Sequence, residues 1–127
     1  MEQKEQQYEI ILLNLYCYMV EEDGFDDIYL KFNGKKIWPI NGKKMEIAAD
    51  TVTTLDIKLG EFSPGETIKI ELWDWDLLSA DDFYGDFSFI FEGDEGSFST
   101  DLQQNTRKTS RARYRLEWEA FPVPSFE

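Results

Sequence analysis

Four aspartates crowd one short segment of the chain, WDWDLLSADDFYG, at Asp74, Asp76, Asp81 and Asp82. Carboxylates this close repel one another unless their side chains turn into water or a cation lies among them. In an extended segment, residues two positions apart point to the same side, so Asp74 and Asp76 could reach one ion. The segment therefore predicts either a solvated turn or one half of a cation site.

A second acidic segment, EEDGFDD at Glu21 to Asp27, places five acids around a Gly-Phe tip. Ca²⁺ is bound in proteins by about six to eight oxygen atoms, many of them from carboxylates. In an antiparallel sandwich, two such loops can lie at the same end and face each other. These observations predict a Ca²⁺ site between the loops. The simpler interpretation is a pair of solvated turns, because Asp is favoured in turns for its local backbone hydrogen bonds.

The composition narrows the classes of function. The 127-residue chain carries 26 acids and 13 bases, a formal net charge of −13, which disfavours nucleic acid as a partner. It has no histidine and a single cysteine, Cys17, so histidine-based catalytic pairs and disulfides within the chain are excluded. Paired carboxylates could hydrolyse glycosides, but nothing in the sequence indicates a deep cleft. We therefore expect that the protein is not an enzyme and has no small-molecule substrate.

Alternating apolar and polar residues, separated by turn signals, predict an all-β chain. We expect an antiparallel eight-stranded (seven to eight) β-sandwich, with strands at residues 8–20, 28–33, 36–38, 52–59, 68–73, 87–92 and 112–119. The first strand should be buried on most of both faces. Residues 92–110 are polar and predict a long excursion or a partly mobile loop. The expected organisation is an N-terminal extension (1–7), one domain (8–121) and a C-terminal tail (122–127).

The segment WDWDLLSADDFYGDF resembles the third calcium-binding loop of C2 domains, which are calcium- and lipid-binding β-sandwich modules. The matching residues are Asp74, Asp76, Asp82, Phe83 and Gly85. The segment EEDGFDDIYLKF is similar to the first loop of the family, through Gly24, Asp27, Tyr29, Leu30 and Lys31. Ile28 stands where the family has proline, and Glu21 where calcium-binding members have aspartate. The Asn-Pro-x-Trp-Asn stretch of the family is missing, and the strand order is similar to the circularly permuted variant.

The resemblance implies a C2-like domain that holds one or two Ca²⁺ ions. The implied ligands are Glu21, Asp27, Asp74, Asp76 and Asp82, with Asp23 as an alternative to Glu21. It also implies insertion of loop-tip side chains into a bilayer (Phe25, Leu77 and Leu78) and a basic face for phosphoinositide head groups (Lys31, Lys35, Lys36, Lys43 and Lys44). Such apolar residues can equally cap the core, and lysines on strands commonly protect sheet edges from aggregation.

Two functions follow as hypotheses. The first is a non-enzymatic C2-like binding module that binds Ca²⁺ between the two acidic loops and docks onto a membrane surface or a partner protein. The alternative is a calcium-independent protein-interaction or structural subunit of a larger assembly. The apolar run from Ile10 to Val20 is too short to span a bilayer and no export signal is visible, so we expect a cytoplasmic location, in part at a membrane surface.

Overall fold

The computed structural model describes residues 5–104 and 110–124. Most of the predicted N-terminal extension, part of the predicted excursion and the end of the predicted tail therefore lie outside the described residues. The described chain is all-β and forms two antiparallel sheets packed as a sandwich, which confirms the predicted fold class. Within it, no helix is long and apolar enough to cross a membrane.

The described residues form ten strands. They are β1 (Tyr8–Met19), β2 (Phe25–Phe32), β3 (Lys35–Trp38), β4 (Met45–Ala48), β5 (Thr51–Phe62), β6 (Thr67–Asp74), β7 (Asp82–Ile90), β8 (Gly96–Asp101), β9 (Gln103–Gln104) and β10 (Arg113–Pro122). One sheet has the order β5-β1-β10-β8. The other has the order β3-β2-β6-β7-β9, and β4 also pairs with β2.

The core lies between the two sheets and follows the alternation of the sequence. Side chains at every second position of β2, β6 and β10 are buried, among them Leu30, Ile70 and Leu116. Each buried side chain of this size contributes about 1.5–3 kcal/mol relative to an exposed one. This regular burial fixes which residues of each strand face the core and which face out.

The first strand differs from its prediction. A register shift between Leu12 and Asn14, seen against both neighbouring strands, changes the phase of β1, so that Leu12 and then Leu15 point into the core. An extra residue in one strand produces this effect. The opposite face of β1 is half-buried and its last two residues are exposed, so the strand is not buried on most of both faces.

Three short strands were not predicted. Met45–Ala48 forms β4, and the segment predicted as an excursion contains β8 and β9. The polar sequence of β8, GSFSTD, is typical of an edge strand that buries few side chains. In addition β7 begins at Asp82, so the end of the acidic segment belongs to a strand and not to a loop.

Pairing among β2, β6 and β7 brings the two acidic segments together. Ile28 of β2 pairs with Asp74 of β6, and Asp74 pairs with Asp82 of β7. The β1–β2 and β6–β7 connections therefore lie at the same end of the sandwich. Two hydrogen bonds hold β2 beside the second connection, since Trp75 N donates to Asp27 O (2.7 Å) and Asp27 N donates to Asp74 Oδ1 (3.1 Å).

Candidate functional site at the acidic loop end

The acidic loop end is built around Asp26, a residue that the sequence analysis did not select. Its side chain is completely buried. The Tyr114 hydroxyl of β10 donates to Oδ2 (2.6 Å) and the Tyr84 hydroxyl of β7 donates to Oδ1 (3.1 Å), while the Glu21 backbone N–H donates to both oxygens (3.1 and 3.2 Å). Asp26 thus ties both sheets and the β1–β2 loop to one carboxylate, and both of its oxygens are occupied.

Asp74, one of the predicted ligands, is also buried, with 4% of its surface exposed. Burial in a poorly solvated site raises its pKa to about 7; the hydrogen bond from Asp27 N opposes that rise, and the nearby carboxylates of Glu22, Asp26 and Asp27 add to it. A carboxylate with such a pKa is partly protonated near neutral pH. The surroundings of Asp74 therefore compensate its negative charge poorly.

Asp27 already has a cation beside it. Lys44, from the connection between β3 and β4, places Nζ 2.8 Å from Asp27 Oδ1. The same ammonium lies 5.2 Å from the centre of the Trp75 ring, within range of a cation–π interaction. The hydrogen bond to Asp27 raises the pKa of Lys44, so the ammonium stays charged. A positive charge in this position opposes the entry of a second cation.

Glu21 is engaged on the other side of the loop. Its Oε2 accepts hydrogen bonds from the Ser110 hydroxyl (2.5 Å) and the Arg111 backbone N–H (2.6 Å), and Arg111 Nη2 donates to the Glu21 carbonyl (2.9 Å). Burial raises the pKa of Glu21, but the hydrogen bonds to its carboxylate and the charge of Arg111 outweigh that effect, and the pKa lies below its ordinary value. Asp23, the alternative ligand, is fully exposed and lies 3.7 Å from Arg111 Nη2.

Asp76 and Asp81 organise the β6–β7 connection itself. Asp76 accepts from the Leu78 backbone N–H (2.9 Å) and the Ser79 hydroxyl (2.7 Å), and these bonds lower its pKa. Asp81 accepts from the Asp76 backbone N–H (2.9 Å) and the Tyr29 hydroxyl (2.5 Å). Local hydrogen bonds of the kind that make Asp common in turns account for Asp76. Asp81 combines one such bond with a long-range bond from Tyr29.

The structure does not gather the predicted ligands into one set. Asp27 and Asp74 are adjacent, but Glu21 faces Ser110, Asp76 faces its own turn, and Asp82 lies at the start of β7. Within residues 5–104 and 110–124, no group of three or more carboxylates or thiols is placed to hold a metal ion. In this arrangement the Lys44 ammonium lies against Asp27, and the ligand set stays a prediction.

The predicted loop-tip residues lie at the surface. Leu77 and Leu78 are 75% and 92% exposed in the β6–β7 connection, and Phe25, at the start of β2, is 45% exposed. Exposed leucines at a loop tip are what insertion into a bilayer requires, but exposure alone does not demonstrate it.

The predicted basic residues fall into separate environments. Lys31 lies 4.7 Å from the centre of the Trp73 ring, while Lys43 and Lys44 lie over Trp75 at the loop end. Lys35 and Lys36 are exposed at the start of β3. Aromatic rings therefore hold three of the five lysines in place.

Comparison with known proteins supports the fold. No protein-family model matches the chain, and neither does any curated protein. Among solved structures, a C2 domain of plant Extended Synaptotagmin 1 matches with a TM-score of 0.53 at 11% identity, over 98% of this chain and all of that one. Human GIVD cytosolic phospholipase A2 matches with a TM-score of 0.50 at 11% identity, and the match covers 97% of this chain but 17% of the phospholipase chain.

These matches show that the chain has a C2-like fold, as the two loop motifs predicted. The first strand leads into the first acidic loop and a further strand follows at Arg113–Pro122, which is the strand order behind the prediction of the permuted topology. In the structure these two strands also pair with each other. At 11% identity the likeness extends to the fold and not to the ligands of either relative.

Proposed function

We propose that this chain is a non-enzymatic, C2-like docking module whose loop end works without calcium. The observation that carries the proposal is the ammonium of Lys44, 2.8 Å from Asp27 Oδ1. In this arrangement a side chain of the protein supplies the positive charge that a divalent ion would otherwise bring. The proposed function does not include catalysis, because the chain has no histidine and the carboxylates at this end are engaged in structural hydrogen bonds.

The docking surface of this proposal is the tip formed by Leu77 and Leu78. Both side chains are exposed on the β6–β7 connection. Hydrogen bonds accepted by Asp76 and Asp81 stabilise the conformation of this connection. Burying one leucine in a lipid interface is worth about 1.5–3 kcal/mol. Exposed Glu22 and Asp23 lie at the same end and would repel anionic lipid, so the favoured surface is a zwitterionic bilayer.

The test is co-sedimentation with phosphatidylcholine vesicles, with and without a calcium chelator. We expect binding that the chelator does not change, and a loss of roughly tenfold or more in affinity for Leu77→Ser with Leu78→Ser. Ile90→Ser is the matched control, because Ile90 is an exposed apolar residue at the end of β7 that lies away from the acidic loops. Binding that needs calcium would contradict the calcium-independent proposal, and failure to bind under either condition would contradict docking on a lipid surface.

Calcium binding between the two loops is the second candidate, and Asp74 favours it. A buried carboxylate whose pKa is raised to about 7, beside Glu22, Asp26 and Asp27, would be stabilised by a nearby cation. Calorimetric titration with Ca²⁺ tests it directly. A saturable signal that Asp74→Asn abolishes would establish the site, and a titration without binding heat, supported by an unchanged melting curve, would remove this candidate.

A further inference from the structure

The side of the sandwich where β7 and β8 run together has two open strand edges. β8 is the last strand of its sheet, and within the described residues it pairs with β10 alone. Among the described residues, β9 pairs with β7 only at Gly85 and Asp86, and no described strand pairs with Phe87 to Ile90 on that edge. An open edge presents backbone N–H and C=O groups at every second residue, ready to pair with another extended chain.

A cavity lies beside these edges, at the end of the sandwich opposite the acidic loops. Its volume is about 180 Å³, and it is lined by Ile90, Phe91, Glu92, Asp94, Phe98 and Trp118. Apolar cavities of about 150 Å³ accept a group the size of benzene. The volume therefore suits one aromatic or branched aliphatic side chain.

Stacked aromatic rings form one wall of the cavity. Trp118 stacks with Phe89 and with Phe98, at centroid distances of 4.1 Å and 4.7 Å, and its indole N–H donates to the Thr100 hydroxyl (3.0 Å). These rings come from β7, β8 and β10, so the stack bridges the two sheets beside the opening. A preformed wall of this kind lowers the entropic cost of binding.

The rim of the cavity is acidic. Glu92 and Asp94 line it and Glu95 is adjacent and exposed, and in the described part of the chain none of the three forms a salt bridge. Ile90 is 61% exposed at the same rim. The complementary partner is an apolar side chain flanked by positive charge.

We propose that an extended segment of a partner protein docks here, pairing with the open edge of β8 and placing one apolar side chain, flanked by basic residues, in the cavity beside Trp118. Strand addition at a sheet edge gives affinity through main-chain hydrogen bonds and specificity through a side-chain pocket. A second copy of this chain is disfavoured as the occupant, because each copy has the acidic rim and a net charge of −13. This surface is separate from the loop end, so the inference does not depend on the docking proposed there.

The probe is a set of synthetic peptides, Thr-Lys-Val-X-Val-Lys-Thr, in which X is Phe, Leu, Ile or Ala and both lysines share the face of X. Each peptide is titrated into the protein and followed by NMR. We expect shifts of the Trp118 indole N–H and of alternate β8 amides. The best apolar peptide should bind roughly tenfold or more tightly than the Ala peptide. Replacing the two lysines with Glu should weaken binding, because the rim is acidic.

Ile90→Lys is the test variant, because it puts a positive charge at the rim without changing the core. Val52→Lys is its matched control, an exposed apolar residue on β5, at the opposite edge of its sheet. We expect Ile90→Lys to weaken binding of the lysine-containing apolar peptide and Val52→Lys to leave it unchanged. Peptides that do not perturb Trp118, or that bind equally with Ala at X, would overturn the proposal. Sedimentation showing a dimer that Ile90→Lys breaks would also overturn it, by assigning the groove to a second copy.

Discussion

Asp26 is the single side chain on which the acidic end depends most. Replacing it with Ala would leave the hydroxyls of Tyr84 and Tyr114 and the Glu21 backbone N–H buried without their acceptor. We expect Asp26→Ala to lower the free energy of unfolding by roughly 2–4 kcal/mol, measured by urea denaturation. Tyr84→Phe removes one of these bonds and should cost about 1 kcal/mol. If Asp26→Ala lowers the free energy of unfolding no more than Tyr84→Phe does, Asp26 does not stabilise the fold beyond a single hydrogen bond.

The raised pKa of Asp74 predicts how the stability of the protein depends on pH. Its pKa of about 7 in the folded protein lies above the unfolded value of about 3.9, so between these pH values the folded protein binds more protons than the unfolded chain. The stability contribution of Asp74 therefore falls as the pH rises through this window. The penalty is absent below about pH 4 and fully present above about pH 7, where it is on the order of 4 kcal/mol at most.

Asp74→Asn removes this titration and keeps an oxygen to accept from Asp27 N. We expect the variant to be more stable than the wild type near neutral pH and to lose that advantage in acid, as followed by urea unfolding across the pH range. Asp56→Asn, at an exposed carboxylate of β5, is the control for the change in charge. If the two variants shift the pH profile equally, Asp74 is not the group responsible.

At the residue scale, the sequence identified the acidic segments but not the role of each carboxylate. The alternation of Ile28 and Leu30 into the core, extended one step back along β2, places Asp26 inside and Asp27 outside. The alternation in the sequence therefore indicates that the Asp26 carboxylate is buried. The contacts of Lys44 with Asp27 and of Glu21 with Ser110 were not foreseeable, because they join residues 17 and 89 positions apart.

The β6–β7 connection is the element whose rigidity matters for docking. Asp76→Ala removes the acceptor for the Leu78 N–H and the Ser79 hydroxyl. We expect amide exchange at Leu78 to accelerate, with little change in the exchange of β6 and β7, because the bonds lost are local to the turn. Asp76→Asn keeps one acceptor oxygen and should fall between the wild type and Asp76→Ala. Unchanged exchange at Leu78 in Asp76→Ala would mean that the backbone alone holds the turn.

At the scale of elements, long strands were predictable and short ones were not. The strand at 112–119 was predicted from its strict alternation and is β10, Arg113–Pro122. Asn-Gly is a typical hairpin-turn sequence, and the pair Asn33-Gly34 connects β2 to β3 with the positive φ (52° and 79°) that a tight hairpin turn needs. The sequence did not predict β4, β8 and β9, because short edge strands are specified by pairing with neighbours and not by their own hydrophobic pattern.

The charge of the whole molecule sets the background for any test with ions. With a net charge of −13, the folded chain is destabilised by self-repulsion. Added salt of any kind screens that repulsion, so a rise in melting temperature with CaCl₂ does not by itself indicate a site. The informative quantity is the difference between CaCl₂ and NaCl at matched ionic strength.

That difference gives the last prediction. If the Lys44 ammonium supplies the cation beside Asp27, the wild type should melt at the same temperature in either salt. Lys44→Met leaves Asp27 and Asp74 without that charge, so calcium should stabilise this variant more than matched NaCl does, in proportion to its binding to the folded state. Lys35→Met, at an exposed lysine of β3, is the control and should behave as the wild type. A calcium-specific rise in the wild type would establish a metal site despite Lys44. No difference in either protein would mean that these carboxylates do not form a cation site even when the lysine is removed.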